Sequence, residues 1–513
     1  MGTLKHLWIL VLFVTGCSVS QKDYDIRSYG AVPGSATLNT KAIQEAIDAA
    51  AKAGGGTVVV PAGVYTTGVL HLRSGVELHL DSGATLLGTD KRLAYGHRDA
   101  SALIVAEGQR HIAITGRGVI DGQAGKLLKN LDSLLRAGVI SDDEWQTYNA
   151  WHQKRPAERN RPKIINFKNC DSVRIAGITL KNSSDWVQRY QQCTHLVISG
   201  ITVQSTAFLN NDGIDLVDCQ HAVVSGCSIN AADDGICLKS ESRDSRCQDI
   251  LVEDCSVRSS ASAVKLGTAS AGGFRDITIR NIAVHDTYRS AIALECVDGG
   301  VLQDVHVSGI TAIRTGNAFF IRLGHRNHDS VVGDLKNVTI DHLYVTVPAG
   351  KPDSGYPMEG PPVGYPHHVF PASITGIPGH PVHDVTLTDV GVRYPGSPSK
   401  AIPFFGTDTM ERVPEQPGAY PEFSMFGELP CWGLYARWVG TLRLTRVRIT
   451  CEKPDSRPAF IFDHVGALRL DSLTLPAGAD GPAVVLDHVA SFDTSRLQWP
   501  PGRRNALRIV GSR

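Results

Sequence analysis

Several features that define common protein classes are missing from this sequence. Its 513 residues carry 51 Lys and Arg against 51 Asp and Glu, so it has neither a basic excess for nucleic acid nor an acidic tail. No cysteine pair has the Cys-x-x-Cys spacing of zinc sites, and neither a Gly-x-Ser-x-Gly elbow nor a P-loop occurs. We therefore expect no metal, no cofactor, no nucleic-acid partner and no serine nucleophile.

The composition also argues against a helical or disordered protein. Only four methionines but 51 glycines occur, a balance that favours a turn-rich β protein. Hydrophobic residues make up 42% and charged residues 20%, which excludes a disordered chain and a multi-span membrane protein. A chain of this length can bury a large core without disulfides or metals.

The N-terminus has the pattern of an export signal. A basic pair precedes an apolar run at residues 7–14, which is too short to span a bilayer but suits a signal-peptide core. The following Val14-Thr15-Gly16-Cys17 resembles the bacterial lipoprotein cleavage box, and this resemblance implies cleavage before Cys17 and lipidation of its thiol. We predict a signal peptide at 1–16, a lipid-anchored tether at 17–22, and a location at a bacterial membrane, periplasmic or at the cell surface. The alternative is an ordinary signal peptide with an incidental Cys17.

A repeat occupies much of the remaining chain. Its units start 23 to 33 residues apart, and each is a pair of short strands with period-2 alternation, broken by Gly, Asn or Asp. The clearest units begin at Cys170, Cys193, Cys219, Cys247, Phe274, Leu302 and Leu335. A fixed period predicts stacked repeats, and period-2 strands without long helices between them predict an all-β fold, a parallel β-helix with one coil per repeat.

The repeat implies a single domain, which we place at residues 23–513 and expect to be a monomer. Apolar residues at helical spacing predict one helix over Thr40–Ala53, which would cap the open end of the solenoid. Residues 348–438 are rich in Pro, Gly and Tyr and form a loop-rich insertion. We predict that its aromatic stretch from Tyr420 to Tyr435 walls one end of a cleft, although it could instead only cover the solenoid's flank or its C-terminal end.

Recurring apolar pairs align one strand across five coils. The pairs predicted to point inward are Ile214/Leu216, Ile236/Leu238, Val264/Leu266, Ile292/Leu294 and Ile321/Leu323. This alignment places Asp212 and Asp234 in register on adjacent coils, with Asp233 beside them. It also puts Lys265 and Arg322 in one outward row.

The three carboxylates of Asp212, Asp233 and Asp234, which converge on one face, indicate acid/base chemistry. Like charges close together raise one pKa, which provides a protonated general acid beside ionised partners, the equipment of glycoside hydrolysis. The structural alternative is that these Asp residues cap β-turns.

At these residues the sequence resembles glycoside hydrolase family 28, the polygalacturonase-like pectin hydrolases. The resemblance is carried by Arg161-Pro162, Asn182-Ser183-Ser184-Asp185-Trp186, Asn210-Asn211-Asp212-Gly213 and Ala232-Asp233-Asp234-Gly235. It implies a single-stranded right-handed β-helix of the pectin-lyase type and inverting hydrolysis of a pectic or related acidic poly- or oligosaccharide. It also implies that Asp233 is the general acid, that Asp212 and Asp234 activate the water, and that Asn210 orients them or contacts substrate.

Two motifs of that family are altered. Ser262 stands where the family has a His, and Ala293 and Glu295 stand where it has an Arg and a Lys that are expected to hold the uronate carboxylate. We predict that Lys265 and Arg322 replace these cations as substrate-binding residues. Glu295 would either lie at the substrate or pair with one of the two cations.

Two other functions remain open at this stage. A β-helix polysaccharide lyase would use the Asp cluster to hold Ca²⁺ and a base such as Lys265. A solenoid that binds glycans without cleaving them is the second alternative. For the hydrolase, we predict exo attack.

Overall fold

The computed structural model describes residues 22–149, 152–358, 360, 366–396, 406–474, 482–497 and 506–511. These residues form a right-handed parallel β-helix in which each coil contributes strands to three parallel sheets. Each strand pairs with its counterpart in the coils before and after it. Within the described residues, no helix is long and apolar enough to cross a membrane.

The strands fall into three columns, and six long strands continue from one column into the next. The first column holds Asp23–Asp25, Gly56–Val60, Val76–Leu80, Arg110–Gly116, Asp171–Ala176, Thr194–Ser199, Gln220–Ser225, Cys247–Glu253 and Ser491–Arg496. The second holds Gly34–Leu38, Gly63–Thr67, Ala84–Gly88, Val119–Asp121, Thr179–Lys181, Thr202–Ser205, Ser228–Ala231, Ser256–Ser259 and Arg448–Lys453. The third holds Leu70–His71, Ile104–Glu107, Ile165–Lys168, Gln188–Gln191, Ile214–Val217, Ile236–Ser240, Val264–Ser270, Ala372–Thr375, Val484–Asp487 and Leu507–Val510. The long strands are Gly273–Cys296, Val301–Leu323, Asp334–Thr346, His383–Gly396, Leu434–Thr445 and Phe460–Asp471.

The core lies inside the coils, because every second strand residue is apolar and points inward. Val173, Leu196, Ala222 and Ile250 are paired one above the other on successive coils and are almost fully buried. This stacking reproduces the repeat read from the sequence, and the predicted all-β parallel β-helix is confirmed.

Two α-helices occur in the described residues. The first, Thr40–Lys52, buries Ala42, Ile43 and Ile47 against the first coils. This confirms the predicted capping helix. The second, Ala124–Arg136, was missed, although Leu127, Leu131 and Leu135 have helical spacing. Short 3₁₀ helices span Ile26–Tyr29, Arg92–Tyr95, Glu158–Asn160, His367–Val369 and Met410–Arg412.

The predicted strand register holds over four coils and then fails. Ile214, Ile236, Val264 and Ile292 pair in succession, as expected. On the next coil Ile292 pairs with Phe319, so the predicted partner Ile321 is two residues out of place. The prediction that Arg322 shares a row with Lys265 is therefore wrong. A two-residue slip keeps the same side chains inward, so alternation alone does not reveal it.

Candidate active site

A cavity of about 420 Å³ opens on the outside of the third column. Asp212 and Asp234 each come two residues before a strand of that column, and Asp233 precedes Asp234 in the same turn. Because Ile214 pairs with Ile236, the two turns are stacked, and the Gly213 amide donates to the carbonyl of Asp234. All three carboxylates line the cavity.

Two of the three carboxylates are paired with buried lysines. Lys239 Nζ lies 3.0 Å from Asp212 Oδ2 and 2.7 Å from Asp215 Oδ1, the latter just below the cavity. Lys265 Nζ lies 3.0 Å from Asp234 Oδ2. These ion pairs run between adjacent coils, so the stacking of the solenoid sets their geometry.

Asp233 has no lysine of its own among the described ion pairs. Its Oδ2 accepts a 3.4 Å hydrogen bond from Asn210 Nδ2, and its Oδ1 accepts from the Asp234 amide at 3.1 Å. Arg161 in turn donates to Asn210 Oδ1 at 2.8 Å. Asn210 therefore orients the Asp233 carboxyl and is itself held by a buried arginine.

The surroundings separate the pKa values of the three acids. Burial, together with the charges of Asp212 and Asp234, raises the pKa of Asp233 to about 7. Burial acts in the same direction on Asp234, but Lys265 and Lys239 outweigh it and lower the pKa of Asp234 below its usual value. The cluster thus holds a proton on one carboxyl group beside an ionised one, which is the arrangement that acid/base catalysis needs.

The acid cluster is a poor cation site. Asp212, Asp215 and Cys237 could together offer three metal ligands. However, Lys239 Nζ lies among them, at 3.0 Å, 2.7 Å and 2.9 Å. Burial lowers the pKa of Lys239, but the neighbouring carboxylates raise it well above its usual value, so the space already holds a positive charge.

Side chains from distant parts of the chain complete the cavity wall. One edge comes from the segment after the second helix and contains Asn149, Gln153, Arg155 and Glu158. The opposite edge contains Tyr420, which lies in the C-terminal insertion and is 40% exposed. The other wall residues include Trp186, Thr268, Arg289 and Arg326. The cavity is therefore lined both by the segment around Gln153 and by the insertion that carries Tyr420.

Only part of the aromatic stretch predicted to wall the cleft reaches the cavity. Tyr420 does, and its hydroxyl lies 3.1 Å from Lys265 Nζ. Phe423, Phe426 and Tyr435 are instead buried in an apolar cluster against the solenoid. For these rings the competing interpretation, a cover for the flank of the solenoid, is the one that describes the structure.

Glu295 and Arg322 do not line the cavity. Glu295 is 2% exposed, and its Oε2 lies 3.8 Å from Lys265 Nζ. Arg322 is 1% exposed, and its guanidinium donates to the carbonyls of Gly376, Glu415 and Gln416. Arg322 thus anchors the insertion that carries Tyr420 and is not available to a substrate.

The sequence analysis did not assign three of the wall residues, two of which have a visible signal in the sequence. Lys239 directly follows the apolar pair Ile236/Leu238. In the alignment of the coils it belongs to the outward-pointing row of side chains that also holds Glu295. Trp186 closes the Asn182–Trp186 motif, and its ring lies 4.5 Å from Lys239 Nζ. Arg289 stands three residues before Ile292, but no pattern in the sequence indicated that it faces the acids.

Comparison with known proteins shows the fold and a family resemblance over part of the chain. Residues 52–298 match the profile described as Glycosyl hydrolases family 28. Over this segment, which is just under half of its length, the chain resembles the glycosyl hydrolases of family 28. The profile covers the coils that carry Asp212, Asp233 and Asp234, together with Lys265 and Glu295.

Individual relatives agree with this assignment. A probable polygalacturonase of Vitis vinifera is 28% identical over 58% of this chain and 62% of its own length. The exo-poly-alpha-D-galacturonosidase of Dickeya chrysanthemi is 24% identical over 64% of this chain and 60% of its own length. The chain thus spans about three fifths of the length of these relatives.

Two solved structures share the fold. A hyperthermoactive exopolygalacturonase from Thermotoga maritima has a TM-score of 0.57 at 22% identity, over 73% of this chain and 87% of its own. The family 28 exopolygalacturonase of Yersinia enterocolitica has a TM-score of 0.53 at 20% identity, over 94% of this chain and 79% of its own.

Proposed function

We propose that this protein hydrolyses glycosidic bonds in a pectic or related acidic saccharide, with inversion at the anomeric carbon. The observation that carries the proposal is a cavity lined by three carboxyls whose surroundings differ, because the pKa of Asp233 is raised to about 7 and that of Asp234 is lowered below its usual value. The names of the relatives, which include exo- and endo-polygalacturonases, support a pectic substrate.

In this mechanism Asp233 gives its proton to the leaving oxygen as the glycosidic bond breaks. Asp212 and Asp234 hold a water molecule on the opposite face of the sugar ring, and one of them takes its proton as the new C–O bond forms. Asn210 keeps the Asp233 carboxyl pointed at the leaving oxygen. The assignment of these roles is a prediction from the family resemblance and from the geometry.

Recognition of an acidic sugar has to come from cations other than Arg322. Arg289 and Arg326 line the same cavity as the acids. Arg326 is held by Asp298 at 2.7 Å, and Arg289 Nε lies 3.7 Å from Glu422 Oε2. We propose that these two arginines face the uronate, because an arginine can hold a carboxylate through two parallel hydrogen bonds.

The added walls of the cavity support attack at chain ends. Tyr420 and the segment around Gln153 and Arg155 line the cavity that holds the acids, and these walls leave less room for a long polymer than an open groove would. The exo-acting relative from Dickeya chrysanthemi is consistent with this proposal.

The substrate and the mode of attack can be tested in one experiment. We expect the purified protein to release mono- or disaccharides from polygalacturonate and its oligomers, and to cleave the carboxyl-reduced polymer at least tenfold more slowly. Because attack starts at chain ends, viscosity should fall slowly relative to the release of reducing ends. A rapid early fall in viscosity would contradict exo attack, and no hydrolysis of any pectic or other acidic saccharide would contradict the proposed function.

The pH dependence of the reaction follows from Asp233. Its pKa is raised to about 7, and the acid must be protonated to act. We expect kcat/KM to be highest on the acidic side of neutrality and to fall about tenfold for each pH unit above about pH 7. Initial rates at a fixed low substrate concentration between pH 4 and 9 would measure this. A profile that keeps rising to pH 9 would exclude Asp233 as the acid.

A Ca²⁺-dependent lyase fits this cavity less well. Lys239 and Lys265 already neutralise the carboxylates that such a cation would need. A lyase would also release unsaturated products that absorb in the ultraviolet, which the same digests would reveal.

We also propose that the protein is exported, anchored through Cys17 and monomeric. The support is the N-terminal pattern, which lies outside the described residues. The mass of the mature N-terminus would test the lipid, and the mass of the protein in solution would test the monomer.

A further inference from the structure

Lys265 has an unusual environment for a residue on the outer surface of a solenoid. It is 2% exposed, and its ammonium lies 3.0 Å from Asp234 Oδ2, 3.8 Å from Glu295 Oε2 and 3.1 Å from the Tyr420 hydroxyl. These three groups come from the coil before it, the coil after it and the C-terminal insertion. The lysine therefore joins three parts of the chain beside one of the proposed catalytic acids.

The neighbouring coil leaves space for this arrangement. Lys265 pairs with Ala293, whose small side chain does not compete for the volume above it. Glu295 approaches closely because residue 267 is a glycine: a Cβ there would lie 2.9 Å from Glu295 Cβ. Two of the three positions that depart from the family pattern, Ala293 and Glu295, thus accommodate Lys265.

We infer that Lys265 is a positioning residue, whose ammonium keeps the Asp234 carboxylate ionised and aimed into the cavity, and that it does not read the substrate's anion. This inference rests on the proposed hydrolase function. An ammonium already shared by two carboxylates and a hydroxyl has little capacity left for a sugar carboxylate. Its position next to Asp234 gives it direct influence over the charge of that acid.

The insertion contributes to the same task. Arg322 holds the insertion by its backbone at Glu415 and Gln416, and Arg437 pairs with the Glu415 side chain at 3.0 Å. The segment so anchored brings the Tyr420 hydroxyl to Lys265. The loop that closes the cavity therefore also completes the environment of the lysine.

Removal of the lysine charge should change the protonation of Asp234. Opposite charges at this range lower an aspartate pKa by about 1–3 units. The other charged or titratable groups near Lys265 are Cys237, Glu295 and Tyr420. Those near Asp234 are Lys239, Arg289, Cys237 and the carboxyl groups of Asp212, Asp215, Asp233 and Glu295. All of these except Glu295 are unchanged in the variants below.

The test compares Glu295→Gln with the double variant Glu295→Gln/Lys265→Met. The shared Glu295→Gln background avoids leaving a second unpaired carboxylate when the lysine is removed. We expect the acidic limb of the pH profile of kcat/KM, where activity falls as Asp234 takes up a proton, to move up by about 1–3 pH units in the double variant. At pH 5 we expect kcat to fall by about tenfold or more while KM changes less than threefold. Lys265→Gln in the same background provides a second, polar variant of similar length.

A different result would overturn the inference. If the acidic limb stays in place and the loss is confined to KM on acidic substrates, Lys265 reads the substrate. If neither kcat nor the limb changes, Lys265 has no role in the reaction.

Thermal unfolding gives a readout that does not need activity. Without Lys265, burial should raise the folded-state pKa of Asp234, so stability should be lost as the pH rises from about 4 to about 8. We expect this loss of stability in Glu295→Gln/Lys265→Met relative to Glu295→Gln, and we expect a further Asp234→Asn substitution to remove it.

If the wild type cleaves no acidic saccharide, the proposed function is wrong. The unfolding comparison then decides alone whether Lys265 controls the charge of Asp234, and equal pH dependence in all three proteins would refute that.

Discussion

Substitution of Asp233 by Asn should lower kcat by about 10²–10⁴-fold, the usual contribution of a positioned general acid. Asn keeps the shape of the side chain and the contact with Asn210, but it has no acidic proton for the leaving oxygen. KM should change little, because the substrate's other contacts remain. Rates on an oligosaccharide substrate, measured at the pH optimum of the wild type, would check this.

The same substitution should not destabilise the protein. The folded-state pKa of Asp233 is raised to about 7, so the folded protein favours the protonated carboxyl. The wild type therefore loses stability as pH rises from about 4 to about 7, whereas a neutral Asn does not. At pH 8 we expect Asp233→Asn to melt at the same temperature as the wild type or above it.

Asp218→Asn provides a matched control for this experiment. Burial also raises the pKa of Asp218, but that side chain accepts from Ser240 Oγ at 2.7 Å and does not line the cavity. Its substitution should leave kcat per folded molecule unchanged even if stability falls. A fully active Asp233→Asn, or an Asp218→Asn with an equal loss of kcat, would contradict the assignment of the acid.

The sequence predicted those parts of the site that follow from the coil repeat. The stacking of Asp212 on Asp234 depends only on the apolar pairs that precede and follow each turn, and those pairs align without error through Ile292. Through Ile292, the period-2 alternation and the repeat length predict the same pairing of residues between successive coils. The sequence is therefore sufficient to place side chains on the outer face of consecutive coils.

The remaining parts depend on contacts that a repeat does not encode. Arg322 was assigned to the wrong row because Phe319, and not Ile321, continues the inward stack, and both choices satisfy the alternation. Tyr420 reaches Lys265 across 155 positions of sequence, from the segment between the strands His383–Gly396 and Leu434–Thr445. Arg289 enters the cavity wall from the long strand Gly273–Cys296, at the register shift between Thr287 and Ser290. These side chains become visible only after the coils and the loops that cover them are folded together.

The lysines explain how the protein tolerates four carboxylates in so small a volume. Asp212, Asp215 and Asp234 are nearly buried, and each is within 3.0 Å of Lys239 or Lys265. A buried carboxylate without such a partner would take up a proton, as Asp233 does. Lys239 opposes the effect of burial on the pKa values of Asp212 and Asp215, which are still raised, whereas Lys265 and Lys239 together lower the pKa of Asp234.

Loss of Lys239 should accordingly have a large effect on stability. The variant Lys239→Met removes the ammonium that lies 2.7 Å from Asp215 and 3.0 Å from Asp212, and it leaves both carboxylates buried and uncompensated. Breaking a buried ion pair from one side costs about 3–5 kcal/mol. We expect a loss of that size in the free energy of unfolding near pH 7, measured by chemical denaturation, together with strongly reduced activity.

Two comparisons separate charge from packing in this prediction. Lys181→Met breaks a 3.4 Å pair with Asp121 in which the lysine is 37% exposed, and it should cost less than about 1 kcal/mol. Adding Asp215→Asn to Lys239→Met removes one of the uncompensated carboxylates, so part of the stability should return. Activity should stay low in the double variant, because Asp212 still lacks the cation that favours its ionised form. If Lys239→Met is as stable as the wild type, or if Asp215→Asn restores nothing, the two carboxylates are not held ionised by this lysine.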